Sequence, residues 1–266
     1  MKFYKVLILV LLVSQSCQKE NNDQFLDIEV EGRVNYIDES QKTIVSRYQL
    51  PKGFKRLDYQ KNEFGFFLEN LPLKSFNEKV KYFDGKTKDK KNVYSSVIDL
   101  PIGTKDLHQC ADAVMRLRAD FLYENKRYDE IAFNFLSDGK PRYYVDYVKN
   151  DYSREHYWDY LEYIFSFANT SSLKDQMKTI NSNEIKIGDV LIQKGNPFGH
   201  AVILIDLAEN NEGDKIGIFA QSYMPAQELQ ILTNPKNKDN SPWYDLSSDI
   251  IQTPEWKFTS KDWKTW

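Results

Sequence analysis

Residues 189–221 read DVLIQKGNPFGHAVILIDLAENNEGDKIGIFAQ and contain three short apolar runs separated by two turn-rich connections. The runs cover residues 189–193, 200–208 and 215–221, and the connections are KGNPFG and ENNEGD. Short apolar runs bounded by Gly, Asn, Pro and Asp predict β-strands joined by turns. The middle run is apolar on both faces in its centre, which is typical of a strand that has neighbours on both sides. The stretch therefore predicts a three-stranded meander at the centre of the fold.

Two amphipathic helices are predicted before the meander. The first covers residues 105–125, and Thr104 or Asp106 can cap it by accepting hydrogen bonds from its first backbone N–H groups. Apolar residues recur along it at three- and four-residue spacing and form one stripe: Leu107, Cys110, Val114, Leu117 and Phe121. The second helix covers residues 154–168, with its apolar side formed by Trp158, Leu161, Phe165 and Ala168. Each helix therefore has one face suited to packing against a sheet.

Shorter elements surround these segments. Strands at 128–136 and 142–148 flank Asp138-Gly139, a dipeptide typical of a hairpin turn. Further strands are predicted at 26–30 and 93–100, a short helix at 64–71, and an irregular tail that includes SPWY and PEW. Because helices and antiparallel strands occur in separate runs, the expected fold class is α+β, with an antiparallel sheet packed against helices.

The first 17 residues, MKFYKVLILVLLVSQSC, have the layout of a secretory signal peptide. The apolar run at 6–13 is too short for a membrane span, which needs about 20 residues. Cys17 ends a pattern that resembles a bacterial lipobox, so we expect Cys17 to be the lipidation site and to carry acyl chains such as palmitate. The alternative is a signal peptide that is cleaved without addition of lipid. Residues 18–24 are then a polar tether and residues 25–266 a single α+β domain.

These features predict a lipoprotein of the bacterial cell envelope, held at the outer membrane by its N-terminal lipid. The QKENND segment after Cys17 is similar to the surface-export signals of Bacteroidota lipoproteins, but it also fits any hydrophilic linker. Both the periplasmic face and the cell surface therefore stay open as locations.

Composition argues against several classes of function. The net charge is −3 and the basic residues are spread along the chain, so no nucleic-acid-binding surface is indicated. Once Cys17 is acylated, Cys110 is the remaining cysteine, and one chain cannot form an internal disulfide. Three scattered histidines give no ligand spacing for zinc, and we expect neither a metal nor another cofactor.

The candidate chemistry combines Cys110 and His200. A cysteine early in a helix is favoured as a thiolate by the helix dipole, and the thiolate is the nucleophilic form. His200 begins the central strand after a turn and can act as base, while Gln221 ends the next strand and can orient the imidazole ring. Gln109 and His108 could line the same cleft or support an oxyanion. In the alternative interpretation Cys110 is a buried core residue, because it belongs to the apolar stripe and lies about one turn beyond the expected cap.

The order of helix cysteine, strand histidine and polar residue on the next strand is similar to that of papain-like cell-wall amidases and peptidases. GDVLIQ and GHAVILID resemble the paired strands of those enzymes. Four longer blocks, DLHQCADAVMRLRADFLY, IGDVLIQKGNPFGHAVILIDLA, AQSYMPAQ and SPWYDL, resemble the domain-of-unknown-function 4846 family. That resemblance extends from about residue 50 to the C-terminus and implies a Bacteroidota envelope lipoprotein with one domain. It supplies no established activity.

Two functions of different classes follow. The first is a cysteine hydrolase that cleaves amide bonds in peptidoglycan stem peptides or a related envelope substrate. The second is a non-catalytic cell-surface module that binds glycan or protein through exposed aromatic residues such as Trp243, Tyr244 and Trp256.

Overall fold

The computed structural model describes residues 35–237 and 241–266 and has mixed helices and antiparallel strands. The α-helices are α1 (Ile44–Arg47), α2 (Phe64–Glu69), α3 (Cys110–Glu124), α4 (Tyr144–Val148), α5 (Arg154–Phe167) and α6 (Thr170–Gln176). The strands are β1 (Lys55–Arg56), β2 (Tyr94–Val97), β3 (Ala132–Asn134), β4 (Pro141–Tyr143), β5 (Lys178–Thr179), β6 (Val190–Gln193), β7 (His200–Glu209), β8 (Lys215–Gln221), β9 (Gln230–Leu232), β10 (Tyr244–Asp245), β11 (Ile250–Gln252), β12 (Lys257–Thr259) and β13 (Trp263–Thr265). The α+β fold class is therefore confirmed. The predicted signal peptide, lipidation site, tether and first strand lie outside the described residues.

The predicted meander is the centre of the main sheet. β7 pairs antiparallel with β6 on one side and with β8 on the other, so that Ile203 lies opposite both Val190 and Ala220. Within the described ranges, the sheet runs β2-β9-β8-β7-β6-β13-β5, with β1 beside β7 and β10 beside β8. Residues 200–208 of β7 are all buried, as expected for a strand covered on both faces. β7 is therefore a rigid support for any side chain at its first position.

α3 packs against β7 and β8 and forms the core with them. Its sequence, CADAVMRLRADFLYE, is rich in Ala, Leu, Met and Arg, which are strong helix formers. Val114, Leu117 and Phe121 of the predicted stripe are each almost fully buried. Burial of each such side chain stabilises the fold by roughly 1.5–3 kcal/mol, so the helix is held firmly on the sheet.

Several predicted boundaries are wrong, and two of them change the topology. Residues 144–148, predicted as strand, form helix α4, so the hairpin has only β3 and β4 as its arms. The tail was expected to be irregular, but β13 joins the main sheet by pairing with β6 and β5. Short aromatic segments such as these satisfy the alternation of a strand and the stripe of a helix equally well, so tertiary contacts decide between them.

The start of α3 also differs from the prediction. The helix begins at Cys110, with Gln109 as N-cap, and not near residue 105. Asp106, one of the expected caps, instead accepts a hydrogen bond from the backbone N–H of Ala226 at 2.6 Å. A tertiary contact has therefore replaced the local capping bond. In the part of the chain that the structure describes, no helix is long and apolar enough to cross a bilayer.

Candidate functional site

Cys110 is the first helical residue of α3, at the end of the helix where backbone N–H groups point outward. The first four N–H groups of a helix have no acceptor within the helix and carry partial positive charge. The later start of α3 therefore removes the expectation that Cys110 lies one turn beyond the cap. Its Sγ atom lies 3.7 Å from Oγ1 of Thr170, at the start of α6, and interacts with the backbone of Ala201. Because Ala201 follows His200 directly, the fold brings the thiol next to the first residue of β7.

His200 is held by Gln221, as the sequence predicts. Its Nε2 atom lies 2.8 Å from Oε1 of Gln221. Ile203 pairs with Ala220, so His200 and Gln221 are near diagonal neighbours where the two strands meet the loops. Among the described residues, Nδ1 of His200 has no hydrogen-bond partner. The second ring nitrogen is therefore the one left for chemistry.

Glu255 extends this contact into a longer chain of hydrogen bonds. Nε2 of Gln221 donates to Oε2 of Glu255 at 2.6 Å. The Nζ atoms of Lys88 and Lys90 each lie 2.9 Å from a carboxylate oxygen of Glu255. Lys88 is itself buried and also donates to Oε1 of Gln227 at 2.9 Å. Residues from three distant parts of the sequence therefore fix the amide group that contacts His200.

The direction of these hydrogen bonds determines the tautomer of His200. Burial disfavours the charged form of Glu255, but hydrogen bonds from Lys90 and Lys88 outweigh it and lower the pKa of this carboxyl. An ionised carboxylate only accepts hydrogen bonds, so the NH₂ group of Gln221 faces Glu255 and its oxygen faces His200. Nε2 of His200 must then carry the proton, and Nδ1 keeps its lone pair. A neutral imidazole in this tautomer can act as a base through Nδ1.

Both reacting groups are neutral at rest. Burial raises the pKa of the Cys110 thiol above its usual value, and the Thr170 hydroxyl opposes this rise only in part. Burial also lowers the pKa of His200 to about 4, although the hydrogen bond to Gln221 favours the charged form. At neutral pH Cys110 is therefore a thiol and His200 an uncharged imidazole. A thiolate must form by proton transfer to His200 when a substrate arrives.

Aromatic rings cover the pair. The ring of His200 lies 4.8 Å from that of Tyr223 and 5.2 Å from that of Trp256, measured between centroids. Tyr223 also interacts electrostatically with Cys110, so it lies near both groups. Cys110 is only 5% exposed and His200 only 1%, whereas Tyr223 is half-buried. Access of a substrate to both groups therefore requires displacement of covering side chains, and Tyr223 and Trp256 are the half-buried rings beside His200.

The two neighbours of Cys110 in the sequence have different surroundings. His108 is buried, with its ring 5.8 Å from that of Phe165, so it does not line an open cleft as expected. Burial lowers its pKa to about 3 and keeps it neutral. Gln109 is half-buried, and its Nε2 donates to Oδ1 of Asp106 at 3.1 Å. Of the two, only Gln109 has a side chain at the helix entrance.

The aromatic residues named for the binding alternative are mostly inside the fold. Trp243 is 5% exposed and Tyr244 is 3% exposed, so the expectation that they are surface rings is wrong. The indole N–H of Trp243 donates to the backbone oxygen of Gln49 at 2.9 Å, which is a structural contact. Trp256 is half-buried against His200 and donates to Oε1 of Gln193 at 2.9 Å. These rings stabilise the sheet and the candidate site.

Sequence reasoning found Cys110, His200 and Gln221 but not Glu255, Lys88 or the covering role of Tyr223. Glu255 lies between Pro254 and Trp256 in a tail that has no strand pattern, so nothing local ties it to β8. Lys88 lies in a charged run, KTKDKK, that is typical of a solvated loop. Across the described ranges, no group of three or more His, Cys, Asp or Glu side chains is placed to hold a metal ion.

Comparison with known proteins shows the family. The family model described as "Domain of unknown function (4846)" matches residues 44–265, and the chain belongs to this family. The match covers most of the chain and includes Cys110, His200, Gln221 and Glu255. No curated protein and no solved structure matches the chain.

Proposed function

We propose that this member of the domain-of-unknown-function 4846 family is a cysteine hydrolase of the bacterial cell envelope. Its substrates would be amide bonds in peptidoglycan stem peptides or a related envelope polymer. The observation that carries the proposal is the position of Cys110 at the start of α3, with its thiol against the backbone that follows His200. The Gln221 contact that leaves Nδ1 of His200 as an acceptor supports it further. The order of helix cysteine, strand histidine and polar residue on the next strand is similar to that of papain-like amidases.

Each residue then has a defined task. Nδ1 of His200 takes the proton of Cys110 as Sγ attacks the carbonyl carbon of the amide. The protonated imidazole gives that proton to the leaving nitrogen, the C–N bond breaks, and a thioester remains on Cys110. Water, deprotonated by His200, then releases the carboxylate product and restores the thiol. Gln221 holds the ring in the required tautomer throughout, and Glu255 holds Gln221.

Stabilisation of the oxyanion falls to the start of α3. The backbone N–H of Cys110 is one of the helix N–H groups without an intrahelical acceptor, so it can donate to the developing negative charge. The side chain of Gln109 is the second candidate donor, because its NH₂ group already lies at the helix entrance. Donors that are fixed before the reaction lower the barrier because they need not reorganise.

The proposed location is the outer membrane, with the domain attached through lipid on Cys17. The apolar run at residues 6–13 followed by Ser16-Cys17 supports this proposal. A lipid anchor would hold the domain close to the peptidoglycan layer or at the cell surface. Labelling of cells with a radioactive fatty acid, comparing the wild-type protein with the variant Cys17→Ser, tests the anchor directly.

The catalytic proposal is tested by alkylation of Cys110 and by product analysis. Purified protein is treated with iodoacetamide over a range of pH, and modification of Cys110 is followed by mass spectrometry. We expect Cys110 to react at a rate that falls at least tenfold in His200→Gln, because the base that takes its proton is gone. Disaccharide-peptide fragments of peptidoglycan should gain the mass of one water on cleavage by the wild-type protein only.

The controls separate loss of catalysis from loss of fold. Cys110→Ser should show the thermal unfolding of the wild type within a few degrees and no cleavage. The exposed His156 lies outside the site, so His156→Gln should leave both alkylation and cleavage unchanged. Alkylation that stays slow even at pH 10, in a protein that is still folded, would show that Cys110 is a sealed core residue. That result would end the catalytic proposal.

A further inference from the structure

A second cleft, separate from Cys110, lies beside the later turns of α3. It has a volume of about 300 Å³ and is lined by the start of α2, one face of α3 and the loop before β6. Arg118 lies eight residues after Cys110, which is about 12 Å along a helix axis that rises 1.5 Å per residue. The cleft is therefore outside the proposed catalytic centre.

Four buried polar atoms of residues that line this cleft lack a hydrogen bond of ordinary geometry, although the Thr265 hydroxyl lies near the Asp189 carboxylate and the Tyr59 hydroxyl lies near the backbone of Ile187. They are the hydroxyl oxygen of Tyr59, Oδ1 of Asp189, Oγ1 of Thr265 and Nε1 of Trp266. They are half of the eight such side-chain atoms among the described residues. A buried polar atom that lacks a partner costs roughly 1–3 kcal/mol, so such atoms seldom cluster unless something satisfies them.

Asp189 is the least exposed of these residues. Its side chain is 1% exposed, and one of its oxygens, Oδ2, accepts from the backbone N–H of Lys186 at 2.8 Å. Burial raises its pKa to about 6, and the nearby Thr265 hydroxyl opposes this rise. The other oxygen, Oδ1, has no hydrogen bond of ordinary geometry, although the Thr265 hydroxyl lies near the carboxylate. The cleft therefore offers a buried carboxylate acceptor beside several donors.

Arg118 is one of three basic residues that line the cleft, together with Arg127 and Lys186. Its guanidinium group lies over three aromatic rings, with centroids at 5.3 Å for Phe64, 5.6 Å for Phe121 and 5.7 Å for Trp266. Within the described residues it forms neither an ion pair nor a hydrogen bond, whereas the neighbouring Arg127 is paired with Glu130 at 2.5 Å. Burial lowers the pKa of Arg118, yet a guanidinium stays charged in proteins. Its five N–H donors are therefore held in place by ring contacts and are left without acceptors.

We propose that this cleft binds a small molecule that carries one carboxylate on an apolar or aromatic body. The planar fork of Arg118 fits the two oxygens of a carboxylate, and the indole N–H of Trp266 is a further donor beside it. The rings of Phe64 and Phe121 give the apolar body a surface to pack against. A phosphate fits less well, because it has no apolar body to pack against Phe64 and Phe121, and the Asp189 carboxylate in the same lining repels its second negative charge.

The test compares three probes on the purified protein by isothermal titration calorimetry at pH 7. The first is N-acetyl-phenylalanine, the second is its neutral amide, and the third is inorganic phosphate. We expect the carboxylate to bind with a dissociation constant below about 1 mM, and the amide and phosphate to bind at least tenfold more weakly.

Substitutions test whether N-acetyl-phenylalanine binds at Arg118. Arg118→Met keeps the packing against the rings and removes the fork, so it should weaken binding of N-acetyl-phenylalanine at least tenfold. Arg154→Met is the matched control, because Arg154 also lies over a ring, that of Tyr123 at 4.4 Å, but outside the cleft. Cys110→Ser should bind like the wild type, which keeps this proposal separate from the catalytic one.

Three outcomes would overturn the proposal. Equal binding of the acid and its amide would show that the carboxylate is not recognised. Unchanged binding in Arg118→Met, with the thermal unfolding temperature of the variant confirming its fold, would show that the ligand lies elsewhere. Absence of binding by all three probes up to 10 mM would equally contradict it.

Discussion

At the scale of single residues, the carboxylate of Glu255 determines the tautomer of His200 although it does not contact the imidazole ring. Glu255 can only accept, so it orients Gln221, and Gln221 in turn fixes which nitrogen of His200 carries the proton. Lys88 and Lys90 keep Glu255 ionised in a half-buried position. The site thus depends on the direction of hydrogen bonds as much as on their distances.

Glu255→Gln tests this dependence at nearly constant shape. A carboxamide at 255 can donate to Oε1 of Gln221, so Gln221 can turn its NH₂ group toward His200 and force the proton onto Nδ1. We expect the ¹⁵N spectrum of the His200 ring to show protonated Nε2 in the wild type and a large share of protonated Nδ1 in the variant. The rate of Cys110 alkylation should fall about tenfold, because the lone pair that accepts the thiol proton is then occupied.

The matched control is Glu162→Gln, since Glu162 also pairs with a lysine, Lys105, at 2.6 Å but lies on α5. It should leave both the His200 spectrum and the alkylation rate unchanged. If Glu255→Gln also keeps the wild-type tautomer, Glu255 is a structural ion pair only.

The sequence points to Cys110, His200 and Gln221 because each lies at a recognisable end of a helix or strand. Glu255 and Lys88 have no such signal, because their importance comes from contacts across 34 and 167 positions of the chain. A single sequence does not reveal contacts between residues so far apart in the chain unless both residues belong to a recognisable motif. The donors and acceptors that tune the base could therefore be found only in the folded structure.

At the scale of elements, the turn from β6 to β7 places His200. Gly199 precedes His200, and a Cβ atom at this position would lie 2.2 Å from the backbone oxygen of Gln193 and 3.0 Å from Cγ2 of Thr170. Thr170 is also the residue that contacts the Cys110 thiol. The absence of a side chain at 199 therefore lets β6, β7 and α6 meet at the candidate site.

Gly199→Ala should consequently disturb stability and the site together. The contact at 2.2 Å involves backbone, so the turn must shift, and we expect the free energy of unfolding in urea to fall by about 1–3 kcal/mol. The rate of Cys110 alkylation should change by at least threefold, since Thr170 and His200 both move. Phe198→Ala, at a side chain that is 60% exposed, should change the unfolding free energy by less than about 0.5 kcal/mol. A free energy of unfolding in Gly199→Ala equal to that of the wild type would show that the turn accommodates a Cβ atom without strain.

Helices and strands with a strong apolar periodicity were predictable from the sequence. Elements whose conformation depends on tertiary contacts were not. β7 and β8 appear where the apolar runs placed them, and α5 differs from its prediction by one residue at its end. The start of α3 moved by five residues because Asp106 bonds to Ala226 and not to the helix. β13 has two of its three residues, Trp263 and Lys264, paired with β6, a contact that residues 257–266 alone do not reveal.

At the scale of the whole molecule, buried ionisable groups determine how stability depends on pH. Burial raises the pKa values of Asp112 and Glu69 to about 8, far above those of the unfolded chain. Burial lowers the pKa values of His108 and His200 to about 3 and 4, and those residues therefore destabilise the fold only below about pH 6.5. Between about pH 6.5 and 8 the two carboxyl groups dominate.

Between about pH 6.5 and 8, the direction in which stability changes follows from the number of protons that the folded and unfolded states bind. A folded protein with a carboxyl pKa near 8 keeps a proton that the unfolded chain, with a pKa near 4, has already released. Rising pH then favours the unfolded state, and each such group can remove up to about 1.4 kcal/mol of stability per pH unit. The loss ends once the pH passes the folded-state pKa. The protein should therefore be most stable below neutral pH, and not at pH 8.

Asp112→Asn tests whether Asp112 is responsible for the loss of stability as the pH rises. Oδ2 of Asp112 accepts from the backbone N–H of Gln109 at 2.9 Å, and Oδ1 is buried without a partner, so an asparagine oxygen can keep the contact without taking a charge. We expect the unfolding free energy of the variant in urea to rise relative to that of the wild type by up to about 1.4 kcal/mol per pH unit, or about 3 kcal/mol between pH 5.5 and pH 8. The exposed Asp175, paired with Lys194 at 2.7 Å, provides the control Asp175→Asn, which should follow the wild type at every pH.

Parallel curves of unfolding free energy against pH for Asp112→Asn and the wild type would mean that Asp112 ionises normally in the folded state. The charge beside Cys110 would then also be present at neutral pH and would oppose formation of the thiolate.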